Sequence, residues 1–183
     1  MLKSSVDEQE PEEPFDRLGK EERRVWINLA KVLLTLPGAL ESQLLRDADL
    51  TLLGYMILAR LSVVPEESLR MSEIAEMANG SLPRISHAVA RLEDRGWVTR
   101  KVCTGQGRRF TIATLTDAGR AHLAASSPAH VANVRRLVVD PLGDDFLRLG
   151  DAVERIVGNL GLPTEVLKRP KAGPAAHPGV GHH

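Results

Sequence analysis

Asn79-Gly80 and Gly96 bracket a stretch, Ser81 to Arg95, in which Ile85, Val89 and Leu92 recur at helical spacing while Arg84, His87, Arg91 and Arg95 fall mainly on the other side. Apolar residues at steps of three and four set one face of a helix against a core and leave the other face free to meet a partner. Upstream, the run Ser72 to Ala78 predicts a short helix, which Asn79-Gly80 closes as a left-handed cap. Ser81 stands at the N-cap of the next helix, and Pro83 lies in its first turn, where a missing N–H is harmless. Downstream, Trp97 to Val102 and Arg109 to Ala113 read as two strands around the tip Thr104-Gly105-Gln106-Gly107. The order is helix, tight turn, helix, basic hairpin.

That order fits a protein that reads duplex DNA. A helix of this kind enters the major groove by its amino-terminal half, where side chains reach base edges. Ser81, Pro83, Arg84, Ser86, His87 and Arg91 are the candidates on the helix, with Arg84 the leading one because its planar fork matches guanine. Arg108 and Arg109, behind the narrow Gly105-x-Gly107 tip, suit the negative potential of the minor groove. A formal net charge of zero argues against a polyanionic partner only if charge is evenly spread. It is not: residues 1–22 carry −5 and residues 70–111 carry +4. The local field is what a phosphate meets.

The remainder of the chain supports a mainly α fold. Aromatics are 3% of 183 residues, against 43% hydrophobic overall, a balance suited to packed helices and large enough for a real core. Val25, Leu29, Val32, Leu36 and Leu40 mark a first helix that Pro37 should kink; Leu50 to Leu61 marks a second. Thr116 caps a helix that Pro128 should kink, with Val131, Val134 and Val138 continuing its apolar stripe beyond, and Phe146 to Leu160 forms the last. We expect an acidic disordered arm over 1–18, a single winged-helix regulator domain over 19–162, and a Pro/Gly/His-rich disordered tail over 163–183. Within that domain, 19–47 and 116–160 hold dimerisation helices and 50–113 the DNA-binding lobe. The terminal helices carry more apolar surface than a small lobe can cover, so a homodimer is expected.

Nothing points to an enzyme, a cofactor or a metal. Ser86 and His87 are neighbours in sequence and so do not face each other as nucleophile and base. The histidines lack the spacing of a zinc site, and Cys103 stands alone. No apolar run spans a bilayer, and the absence of a leader sequence fits a cytoplasmic protein without membrane contact. The rival expectation is an adaptor that keeps the scaffold without reading DNA. It would show apolar or acidic side chains on the exposed face of residues 81–95, where this chain has Ser, Arg and His.

The run Leu69 to Ala78, the Arg-Leu-Glu-x-x-Gly-x-Val-x-Arg pattern from Arg91 to Arg100, Arg108-Arg109, and Leu115-Thr-Asp-Ala-Gly119 together resemble the MarR family of bacterial winged-helix regulators. The resemblance implies a homodimer formed by the terminal helices, binding a pseudo-palindromic operator, usually as a repressor. It also implies release of DNA when a small aromatic effector enters a cleft between the dimer helices and the DNA lobe, near which Trp26 is expected. The family's wing commonly carries Asp directly before its first Arg; Gly107 holds that place here.

Overall fold

The computed structural model describes residues 17–105 and 107–162, so most of the expected arm, the tail and Gln106 lie outside the described residues. The described residues fall into two compact units that divide between Ala39 and Leu40. The helix α1 (Lys20–Ala48) begins in the first and ends in the second. It runs unbroken through Pro37, where a kink was expected. The carbonyl that Pro37 cannot bond belongs to Leu33, which is 60% exposed, so water can satisfy it.

The second unit is a mainly helical lobe with a small sheet. Its elements are α2 (Leu52–Val63), β1 (Ser68–Arg70), α3 (Met71–Met77), α4 (Leu82–Asp94), β2 (Val98–Gly105), β3 (Arg108–Leu115), α5 (Asp117–Val134), α6 (Asp140–Leu142) and α7 (Asp145–Asn159). The sheet has three antiparallel strands in the order β1-β3-β2, one more than the hairpin expected from sequence. Leu69 pairs with Ala113, and the hairpin runs in register from Val98–Leu115 to Gly105–Arg108. Pro128 leaves α5 continuous as well. The carbonyl that Pro128 cannot bond belongs to Ala124, an exposed residue, so water can satisfy it there too. The irregularity falls later, in a π-helical turn over Arg135–Val139.

Leu44, Leu50, Ile57, Leu58, Leu61, Ile74, Ile85, Val89 and Val98 are almost fully buried and form the centre of the lobe. Each such side chain contributes about 1.5–3 kcal/mol by leaving water. The core thus joins the end of α1, α2, both helices of the helix-turn-helix and the root of the wing, which holds α4 at a fixed angle.

A polar node interrupts this core. His130 is buried, its ring 4.3 Å from that of Tyr55 between centroids and its Nδ1 3.3 Å from Gln43 Oε1. Gln43 Nε2 donates to Asp47 at 2.9 Å, so its oxygen faces the ring and Nδ1 is the donor. Burial pushes the His130 pKa below the usual histidine range. The neutral ring therefore stabilises the fold fully above the unfolded value, about 6.5, and that contribution is lost as pH falls through and below it. The denaturant midpoint is expected to drop between pH 7.5 and 5.5, and the drop to shrink in His130→Gln. An equal drop in both proteins would contradict this role.

Candidate nucleic-acid interface

The buried stripe Ile85, Val89 and Leu92 fixes which side of α4 faces inward. Ser81, Pro83, Arg84, Ser86, His87 and Arg91 are all exposed. Asn79, at φ +43°, makes the left-handed turn between α3 and α4, and Gly80 N bonds Ala75 O at 3.0 Å across it. Ser81 occupies the N-cap with extended backbone, yet its hydroxyl makes no capping bond. At the other end Gly96, at φ +72°, ends the helix and turns the chain into β2.

The cations of this region divide into two sets. Arg95 is paired with Asp49 and lies 5.7 Å over the Trp97 ring. Arg100 donates to Glu93 through its backbone N–H at 3.0 Å and Nε at 2.7 Å, with a further guanidinium nitrogen at 2.5 Å. This guanidinium holds the Glu93 carboxyl below the usual carboxylate range. Arg70 stacks on Phe110, 4.3 Å from ring centre. By contrast Arg84, Arg91, Arg108 and Arg109 are exposed and, among the described residues, have no side-chain hydrogen bond, ion pair or ring contact. Lys101, which sequence reasoning left out of the candidate set, belongs with them. Its signal was present in the basic count of the stretch but not in any motif.

The tip of the wing explains the departure at Gly107. Its φ is +73°, the left-handed region that glycine enters without steric cost. Gly105 pairs with Arg108 at the mouth of the hairpin, so Arg108 and Arg109 open β3 directly behind the tip.

The root of the wing is fastened to α5. Thr116 accepts from Gly119 N at 3.0 Å as N-cap and donates to Gly96 O at 2.7 Å, while its own N–H bonds Trp97 O at 3.1 Å. Trp97 stacks on His122 of α5, centroids 3.9 Å apart and planes 12° from parallel, and His122 Nε2 lies 2.9 Å from Ala48 O. The end of α1, the end of α4 and the start of α5 thus meet around one tryptophan. Trp26, in the first unit, is 43% exposed on α1. Among the described residues no group of His, Cys, Asp or Glu is arranged to hold a metal ion, and no helix is long and apolar enough to cross a membrane.

A family profile described as the MarR family matches residues 48–109, the stretch from the end of α1 to the wing tip. Among solved structures, Sco3205, a MarR family transcriptional regulator from Streptomyces coelicolor determined in complex with DNA, is 38% identical with a TM-score of 0.73. The alignment covers 81% of this chain and 96% of that one. AbsC, a MarR family transcriptional regulator from the same organism, is 32% identical with a TM-score of 0.72, over 79% of this chain and 97% of its own. CouR from Rhodococcus jostii RHA1, solved bound to p-coumaroyl-CoA, shares the fold at 19% identity and a TM-score of 0.63, over 76% and 93% of the two chains. Comparison with curated protein sequences gives no match.

Proposed function

The chain belongs to the MarR family of winged-helix transcription regulators, and from that premise we propose that it is a cytoplasmic, non-enzymatic repressor that binds a pseudo-palindromic operator as a homodimer. The observation that carries the DNA contact is the division of the cations. Arginines engaged by Asp49, Glu93 or Phe110 build the lobe. Exposed Arg84 and Arg91 on α4, and Arg108 and Arg109 on the wing, have no internal partner and are available to phosphates and base edges. Ser81 and Ser86 add phosphate contacts, and His87 and Pro83 complete the reading face. Sco3205, the relative solved with DNA, supports a DNA partner.

Two apolar faces support the dimer. None of the residues of α7 is buried, although Phe146, Leu149, Val153, Ile156 and Leu160 line one side of it. In the first unit Val25, Trp26, Leu29, Val32 and Leu33 are likewise exposed along α1. A second copy would cover both stripes, and a two-fold pair would repeat α4 and the wing on two half-sites. A small aromatic effector is part of the same proposal: the fold of CouR accommodates p-coumaroyl-CoA, and Trp26 offers a ring for stacking.

Salt titration of binding to an operator duplex tests the phosphate contacts. Each phosphate neutralised contributes a log–log slope of about −0.9, so five free cations on each of two copies predict a slope approaching about −9 if all of them meet phosphates. A slope near zero contradicts the reading. The Glu93–Arg100 pair joins the end of α4 to β2 and so sets the wing's angle to the reading helix. Glu93→Gln is expected to weaken binding several-fold with base preference unchanged, as read by fluorescence anisotropy on matched and mismatched duplexes; altered preference would contradict a purely positioning role.

A further inference from the structure

The buried stripe of α4 fixes more than its inward side. At about 100° per residue, the meridian opposite Ile85, Val89 and Leu92 carries Pro83, His87 and Asp94, with Ala90 about 45° to one side of it. Arg84 and Arg91 lie on one flank of that line and Ser86 on the other. Pro83 and His87 are exposed and Ala90 is partly so. The middle of the reading face, at its amino-terminal turn, is therefore carbon rather than a hydrogen-bonding group. The turn needs no particular residue at Pro83: its side chain has no burial to serve, and helices begin readily without proline.

The major groove of unmodified DNA offers one apolar counterpart, the C5 methyl of thymine. We propose that Pro83 is a specificity-determining residue that packs its ring methylenes on a thymine methyl in each half-site, beside the base pair that Arg84 reads. This rests on the DNA-binding function proposed above and adds a base identity to it. Burying one methyl group corresponds to roughly fourfold in affinity, and about fifteenfold over two half-sites.

Thymine-to-deoxyuridine scanning tests the contact, because it deletes that methyl and leaves Watson–Crick pairing intact. The scan uses the full-length protein and a duplex recovered by selection from random sequence. One symmetric pair of thymines is expected to lose about tenfold or more with the wild type. Pro83→Ser is expected to bind the thymine and deoxyuridine duplexes equally at that position, while His87→Ala keeps the difference. The wild-type scan depends on no variant, so even with a folding defect in Pro83→Ser it can still overturn the proposal. The proposal is overturned if no thymine pair matters to the wild type, or if Pro83→Ser discriminates as the wild type does. Selective binding in those cases leaves the DNA-binding function standing; a wild type that selects no duplex overturns both.

Discussion

Gly119→Ala is expected to lower the melting temperature by about 4–12 °C and, with it, to weaken duplex binding. Two effects oppose each other at this position. Alanine is the better helix former by about 1 kcal/mol, and Gly119 lies in the first turn of α5. Yet a Cβ there would overlap the carbonyl oxygen of Trp97 and lie 2.9 Å from its carbonyl carbon and from Leu115 Cδ1. Overpacking costs about 1–3 kcal/mol where side chains can give way, and more where backbone must move. Here backbone must move, and it is backbone already bonded to Thr116 N at 3.1 Å. The overlap wins, for a net loss of about 2–3 kcal/mol. Because Trp97 directly follows the Gly96 turn, the shift would reach both the reading helix and β2. Thermal melting followed by circular dichroism checks the stability, and an unchanged melting temperature would show that α5 can slide away from the turn.

Arg84→Ala and Arg108→Ala are expected to fail in different ways. Loss of a bidentate contact with guanine removes about 1–3 kcal/mol of discrimination, or about 5- to 150-fold, at one base position of each half-site. Arg84→Ala should therefore bind its best site more weakly while accepting substitutions at that position. Arg108 lies behind a glycine tip on the wing and is assigned to backbone or minor-groove charge. Its loss should weaken all sequences alike and make the salt slope shallower by about 0.9 per phosphate, hence about 2 for a dimer. Competition binding against single-base operator variants separates the two patterns. Equal, small losses for both substitutions would remove the roles assigned to them.

The reading helix was legible because its signals are local. Ile85, Val89 and Leu92 give the buried face, Asn79 gives the left-handed turn at φ +43°, and Gly96 gives the stop at φ +72°. The Thr116 cap was equally plain. What sequence could not show depends on residues far apart in the chain. Strand β1 is three residues with no strand signal of their own; it exists because β3 offers Ala113 and its neighbours as an edge. Helical spacing alone offers Asp94 to Arg91, three residues apart on α4. The fold instead gives Glu93 to Arg100 across the Gly96 turn and Arg95 to Asp49, leaving Arg91 free. Both prolines expected to bend helices are accommodated, because the carbonyls they leave without a donor belong to exposed residues, Leu33 and Ala124. The Leu-Thr-x-x-Gly pattern also acquires a meaning it lacked as a string. Leu115 enters the core, Thr116 ties two segments, and Gly119 admits the Trp97 carbonyl.

Selection of bound fragments from random duplex DNA tests most directly whether two copies of this lobe read DNA together. Enriched sequences should contain two inverted half-sites whose centres lie about one helical turn, 10–10.5 base pairs, apart. A single asymmetric motif, or no enrichment over the starting pool, would contradict a two-fold regulator that reads base sequence through α4.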